Sequence, residues 1–334
     1  MIDLGDTRLL IVAGKGGVGK TTVAAVAAEW ARRAGKRVCL VDVEGRPGLG
    51  AFFGHPEAFG YEPVELAPRL SVRTIAPDQA LVEYLDDHGL KRFSKRLVES
   101  GALEVIATGA PGLRDILVLG KIKQLALGDA YDLVVLDSPA SGHAISFLLS
   151  ARGMLDAVRG GPVRAQAEDV LTLLADQRRC QVLLVALPEE TPINETLETE
   201  AALRTKIEVA VAGVVVNQVL DGADLQHLSL GSARLPSAER EALEAAAEYT
   251  TRRVNEQAEQ IARLEAMSDA RLSSVVADAA TPVPASGPPP AITVLSFPAL
   301  PEPALDPLVD AFSRGVKFSG GEPAGPNKHP GVAS

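Results

Sequence analysis

Gly14-Lys15-Gly16-Gly17-Val18-Gly19-Lys20-Thr21-Thr22 follows a short apolar run, Leu9 to Ala13, and precedes Val23-Ala24-Ala25-Val26-Ala27-Ala28. Strand, glycine loop and helix in that order predict a phosphate-binding turn. Gly14, Gly19, Lys20 and Thr21 fill the G-x-x-x-x-G-K-[ST] spacing. Glycines let the backbone curl until several N–H groups face one anion. The helix behind the loop adds the positive end of its dipole. In such a loop Lys20 reaches the β/γ-phosphates of a nucleotide, and Thr21 offers its hydroxyl to Mg²⁺. Gly14, Gly16 and Gly19 also satisfy G-x-G-x-x-G, with Asp42 and Glu44 downstream as ribose partners, so dinucleotide binding is a competing reading. The Lys-Thr pair after the last glycine argues against it, because a dinucleotide turn has no use for that pair. A plain glycine turn is a third reading. Lys15, inside the loop, reads at this point as a solvated charge or as a second phosphate partner.

Outward from the loop, apolar runs alternate with helical patterns. Predicted strands are Leu9–Ala13, Arg37–Val43, Leu70–Ala76, Tyr131–Asp137, Cys180–Leu187, Val209–Val216 and Ala291–Phe297. Predicted helices are Thr21–Arg33, Asp78–Ser100 with Asp78 as N-cap, Ala102–Gly128 with a break near 109–112, Ala144–Leu149, Pro162–Gln177, Ile193–Lys206, Ser237–Met267 with Ser237 as N-cap, and Pro303–Arg314. Several strands are continuously apolar, as in a parallel sheet covered on both faces. The fold class is therefore α/β, a doubly wound, mostly parallel sheet. We expect one domain over 1–318, with a small helical subdomain formed by elements near 78–128 and 145–178, and a disordered tail over 319–334. His55–Pro68 and Leu220–Leu235 read as irregular, Thr281–Pro290 as a stiff spacer, and Lys121 and Lys123 as solvated.

The 334 residues carry a net charge of −10, which disfavours a general nucleic-acid binder. There is no signal-peptide pattern at Met1–Asp6 and no apolar run long enough for a transmembrane segment, which points to a cytoplasmic protein. The two cysteines, Cys39 and Cys180, lie in strand-like runs outside any C-x-x-C pair and read as buried free thiols.

In a doubly wound sheet, ligand loops gather at the carboxyl ends of strands. Asp137 ends Leu133-Val134-Val135-Leu136, where a rigidly held carboxylate sits near Mg²⁺; a simple turn or cap acid is the alternative. Asp42 and Glu44 end the second strand, where they face Mg²⁺ or an attacking water, or else cap the loop. His143, in Ser138-Pro139-Ala140-Ser141-Gly142-His143, reads as a phosphate sensor or as a loop histidine. Asn217 offers an amide that suits the edge of adenine, or it is a strand-end turn former.

Taken together, these residues resemble the arsenite-pump and tail-anchored-protein-targeting ATPase family, within the deviant Walker-A class that also holds the MinD and ParA types. The resemblance rests on the phosphate loop, on Asp137–His143, on Leu187-Pro188-Glu189-Glu190-Thr191 and on Val215-Val216-Asn217-Gln218, with weaker support near Phe297–Pro301. Bacterial members look closest, because of Glu44-Gly45-Arg46-Pro47-Gly48-Leu49 and Gly161-Pro162-Val163-Arg164-Ala165-Gln166-Ala167.

The resemblance implies a Mg²⁺-dependent ATPase that closes as a dimer on ATP. Gly14, Gly16, Gly17, Val18, Gly19, Lys20, Thr21 and Thr22 would cradle the phosphates. Pro188, Glu189, Asn217 and Pro301 would contact the nucleotide. Lys15 would act across the dimer; Thr21, Asp137 and Glu44 would serve the metal; Glu44 with Asp42 would position water. The dimer is either a homodimer or a heterodimer with a paralogous ATPase, and it would couple the ATP cycle to a protein client. The departures are a Glu at position 44 where the family has Asp, no zinc-binding C-x-x-C, and only 3 Met for a client groove. The rival readings are a low-turnover nucleotide-gated scaffold and a ParA/MinD-type positioning ATPase.

Overall fold

The computed structural model describes residues 1–43, 45, 48–55, 57–87, 89, 91–100, 112–139, 141–221, 236–277, 293–300 and 304–318, and not the side chains of 93, 97–100, 141–143 and 267–277. Glu44, Pro301, the 281–290 spacer and the 319–334 tail lie outside the described residues, as does most of the predicted 220–235 loop.

In chain order the elements are β1 (Ile2–Asp3), β2 (Leu9–Gly14), α1 (Lys20–Arg33), β3 (Val38–Asp42), β4 (Val64–Ala67), β5 (Leu70–Thr74), α2 (Pro77–Asp87), α3 (Lys91–Ser100), α4 (Leu113–Leu127) and β6 (Leu133–Asp137). They continue with α5 (Ser141–Ala157), α6 (Pro162–Ala175), β7 (Cys180–Ala186), α7 (Glu190–Ala202), β8 (Ala210–Val219), α8 (Ser237–Ala277), β9 (Thr293–Pro298), α9 (Leu305–Gly315) and β10 (Val316–Lys317). Among the described residues eight strands form one sheet in the order β4-β5-β3-β6-β2-β7-β8-β9. All its pairs are parallel except β4 with β5. This is the expected α/β class.

The sheet is buried on both faces, which is why its strands read as continuous apolar runs. On one face Leu10, Val12, Leu40 and Val135 pack under α1 and α9, through Val23, Ala27, Leu308 and Phe312. Trp30 stands edge-on to Phe312 at 5.4 Å and stacks on Phe318 at 4.6 Å. On the other face Ile11, Val41, Val134 and Leu184 pack under α2, α4, α5, α6 and α7. Ala is the main residue of α1 because the helix lies close against the sheet, with Ala24, Ala25, Ala27, Ala28 and Ala31 fully buried.

Several boundaries differ from expectation. Asp78–Ser100 is two helices, α2 and α3, separated at Gly89, whose φ of +77° ends a helical run. Asp78 lies inside the first turn of α2 rather than capping it. Part of the irregular stretch 55–68 is β4, an antiparallel edge strand joined to β5 by a tight turn with Arg69 at φ +71°. The helix after β6 runs from Ser141 to Ala157, far beyond Leu149, despite Gly153. Ser237 is the first residue of α8 and not its cap, and α8 continues to Ala277. Two short strands, β1 before β2 and β10 after α9, pair Ile2 with Val316.

Lys121 and Lys123 are not free in solvent. Lys121 pairs with Glu83 and Lys123 with Asp169 at 2.7 Å, tying α4 to α2 and α6. The residues Gly161–Ala167 also have a structural role. Arg164 donates to the carbonyls of Leu155 at 2.8 Å and Val158 at 3.0 Å, satisfying the open C-terminal end of α5. Gln166 lies against Gly120 of α4, where a Cβ would collide with its amide. The two cysteines are free and buried, as expected. Burial raises both thiol pKa values, that of Cys39 to about 11.

Candidate functional site

The ends of β2, β3, β6, β7 and β8 converge on the loop Gly14–Lys20. Gly14 lies so close to β7 that a Cβ would meet the carbonyl of Val185. Gly17 and Gly19 hold φ of +84° and +93°, which L-residues with side chains rarely adopt, and Gly19 is the N-cap of α1. Gly16 is exposed at the loop's crest, Val18 is buried beneath it, and Thr22 lies in the first turn of α1. No acidic residue occupies that turn, so the positive helix end faces the loop uncompensated by its own side chains.

The carboxylates come from the sheet. Register pairs Asp42 of β3 directly with Asp137 of β6, and Asp137 with Val12 of β2. Alternation along the strands turns both acids to the face that α1 covers, since Leu40, Val135 and Val12 all pack there. They are 7% and 8% exposed, so both stand at the dry floor of the site. The Thr21 hydroxyl donates to Oδ2 of Asp137 at 2.7 Å. Oδ2 of Asp42 accepts the Gly45 N–H at 2.7 Å and the Thr74 hydroxyl at 3.3 Å. Lys20 donates to the carbonyl of Lys15 at 3.1 Å, folding its ammonium back over the loop.

Lys15 extends from the loop, and its ammonium pairs with Glu195 of α7 in the same chain. This places the sequence-predicted partner-reaching lysine at the rim, where it is half exposed. On the other side Asn217, 6% exposed, donates to the carbonyl of Val18 at 3.0 Å. A Cβ on Gly19 would strike that same amide. Pro188 is buried and Glu189 precedes α7, its carboxylate accepting from Arg253 of α8 at 3.0 Å.

So Gly14, Gly16, Gly17, Val18, Gly19, Lys20, Thr21, Thr22, Asp42, Asp137, Lys15, Asn217, Pro188 and Glu189 all stand at one end of the sheet. Glu44 and Pro301 fall outside the described residues, and so does the side chain of His143. Sequence reading missed Thr74, Glu195 and Gln257. For Gln257 a signal existed: it is a polar residue in the apolar stripe Val254, Ile261, Leu264.

The residues present fit a magnesium nucleotide. A hydroxyl and buried carboxylates are hard oxygen donors, and Mg²⁺ is normally held by one or two carboxylates together with substrate phosphates. Adjacent carboxylates repel unless positive charge lies between or beside them. Among the described residues no cluster of three or more His, Cys, Asp or Glu could hold a metal unaided.

A parallel sheet whose second strand enters a glycine loop capped by a helix, with a carboxylate from the neighbouring strand against that helix's first hydroxyl, defines the P-loop nucleotide-binding fold. Residues 7–160 match the ArsA family model, described as anion-transporting ATPase. The ATPase BagA of Mycobacterium tuberculosis is 36% identical over 227 residues, covering 64% of this chain and 66% of that protein. The arsenical pump-driving ATPase of Acidiphilium multivorum is 26% identical over 249 residues, covering 67% of this chain and 41% of that one. The arsenical pump-driving ATPase of Escherichia coli is 24% identical over 249 residues, again 67% and 41%. Over residues 7–160 the chain is similar to the ArsA ATPase family. It spans less than half of the length of the two pump ATPases.

Proposed function

We propose that the protein binds ATP with Mg²⁺ and hydrolyses it as a cytoplasmic dimer, using nucleotide state to hold or release a protein client. The observation that carries this is the Thr21–Asp137 contact at 2.7 Å, with Asp42 in register beside it. A phosphate-loop hydroxyl and two strand-end acids meet there on a buried floor.

In this reading the loop N–H groups from Gly14 to Thr22 and the ammonium of Lys20 bind the phosphates. Thr21 and Asp137 hold Mg²⁺, which when bound neutralises charge on the phosphate oxygens. Asp42, with Glu44 in the loop after β3, orients the attacking water by hydrogen bonding. Phosphoryl transfer asks mainly for such positioning and charge stabilisation. Asn217 reads adenine, and Pro188, Glu189 and Pro301 border the nucleotide. Lys15 exchanges Glu195 for the phosphates bound by the facing subunit, adding charge as the transition state forms.

That facing subunit is a second copy or a paralogous ATPase. Helical elements near 78–128 and 145–178 form a small subdomain, within a domain spanning 1–318. Among the described residues no helix is long and apolar enough to cross a membrane. Single-turnover phosphate release from purified protein, with and without Mg²⁺, tests the reading. Release that requires Mg²⁺ supports hydrolysis. No release, alone or with a paralogue, overturns it.

A further inference from the structure

The far end of the candidate site is held by α8, a helix that the sequence motifs do not touch. Strand β8 does not stop at Asn217. It runs on to Val219, with its register against β9 shifting between Val216 and Val219. Gln218 sits at φ +60°, a left-handed conformation that costs a non-glycine residue about 1–2 kcal/mol. This kink leaves the buried Asn217 with its amide on the phosphate loop. A strained stretch persists only where its surroundings over-determine it.

The surroundings here are the Ala299 N–H, which donates to the Val219 carbonyl at 2.8 Å, and one side chain of α8. Gln257 of α8 is 4% exposed. Its Oε1 accepts the Leu220 N–H at 2.9 Å, and its Nε2 approaches the Gln218 carbonyl at 3.5 Å. The amide thus serves both backbone groups as a missing strand would. One turn earlier on the same face, Arg253 donates to Glu189 in the loop after β7. Further along, Arg263 donates to Asn194 of α7 at 2.6 Å. One face of α8 therefore fastens two loops that flank the phosphate site, one after β7 and one after β8.

We propose that Gln257, supported by Arg253, positions the base-binding end of the nucleotide site, holding Asn217 and Glu189 at the spacing that accepts a purine. This rests on the ATP reading above and adds the residues that give the base, as opposed to the phosphates, its affinity. Gln257 makes no hydrogen bond to β2, α1 or Asp137 and reaches the phosphate loop only through Asn217. A change at Gln257 is therefore expected to weigh more on the base than on the phosphates.

The test compares ATP with inorganic tripolyphosphate by calorimetry on the full chain, for wild type, Gln257→Met and Arg253→Met. Methionine keeps the volume of Gln257 while removing both hydrogen bonds. Gln257→Met is expected to weaken ATP five- to twentyfold and tripolyphosphate by less than twofold. Arg253→Met, which removes a partly exposed contact, is expected to weaken ATP two- to threefold with tripolyphosphate unchanged. Should Gln257→Met not fold, Arg253→Met decides alone. Equal losses for both ligands, or an unchanged ATP affinity, overturn the proposal. Wild-type protein that binds tripolyphosphate as tightly as ATP also overturns it, leaving phosphate binding intact. Wild-type protein that binds neither removes this proposal and the ATPase reading together.

Discussion

The hydroxyl of Thr21, in the first turn of α1, donates to Oδ2 of Asp137 at the carboxyl end of β6. The contact joins residues 116 positions apart in sequence and closes the floor of the phosphate loop. Either partner alone is ordinary, a helix-start threonine or a strand-end acid. Bonded to each other, they set two oxygen donors side by side on the floor of the loop, where the proposed Mg²⁺ would bind.

Asp137→Asn keeps the shape of the floor and the Thr21 hydrogen bond while removing the charge. It should leave nucleotide binding without Mg²⁺ unchanged and abolish the gain that Mg²⁺ brings. Phosphate release should fall by about 10²–10³, the usual loss when one charge-stabilising group is removed. Calorimetry with and without Mg²⁺, followed by single-turnover assays, checks both parts.

Gly19→Ala meets two obstacles at once. The new Cβ strikes the amide of Asn217, and φ of +93° strains any L-residue. The substitution should cost about 1–3 kcal/mol in denaturant unfolding and eliminate nucleotide binding. Gly17→Ala meets open space at φ +84° and carries only the backbone strain, so it should cost less.

Lys15→Ala separates stability from function. The Lys15–Glu195 pair is open to solvent, with Lys15 half exposed and Glu195 partly so, and surface pairs are worth less than about 1 kcal/mol. Unfolding should barely change. ATP-dependent dimerisation, followed by light scattering, should be lost if Lys15 works across the interface. Retained dimerisation and hydrolysis would remove that role.

At the opposite end of the sheet, Arg37 grips Asp132 through its backbone N–H and Nη2, each at 2.7 Å. This hydrogen bonding, against a smaller opposing effect of burial, holds the Asp132 carboxyl below its ordinary pKa. A depressed carboxyl stabilises the fold above the unfolded-state pKa of about 4, and that contribution is lost as pH falls through the lower folded value. Asp132→Asn should therefore cost about 1 kcal/mol at pH 7 and less with each step below pH 4. Unfolding curves across that range test the sign.

The strand order could be anticipated only as a class, because continuous apolar runs announce a buried parallel sheet but not which strands neighbour. The phosphate loop was legible since glycine positions are dictated by φ and by close approach, both local demands. Asp137 was legible as a strand end, and Asn217 was read as one although β8 continues past it to Val219. Thr74 and Glu195 were not, because their value comes from which strand or helix lies next to them in space. β4 escaped notice because an edge strand facing solvent carries no apolar signature. α5 was read too short, since Gly153 and the expected sensor loop masked a helix whose end is satisfied by Arg164 from the next one.

α5 begins four residues after Asp137, and Arg164 clasps its other end. Its 17 residues make a rod of about 25 Å. A tilt of about 5° at the Ser141 end swings the Val158 end through about 2 Å, at the rise per residue of an α-helix. Because α6 is fastened to that end, and α6 in turn to α4 through Gln166 and Lys123, the swing would move three helices as one plate. A small displacement at the Ser141 end would thereby be enlarged at the far end of the three helices.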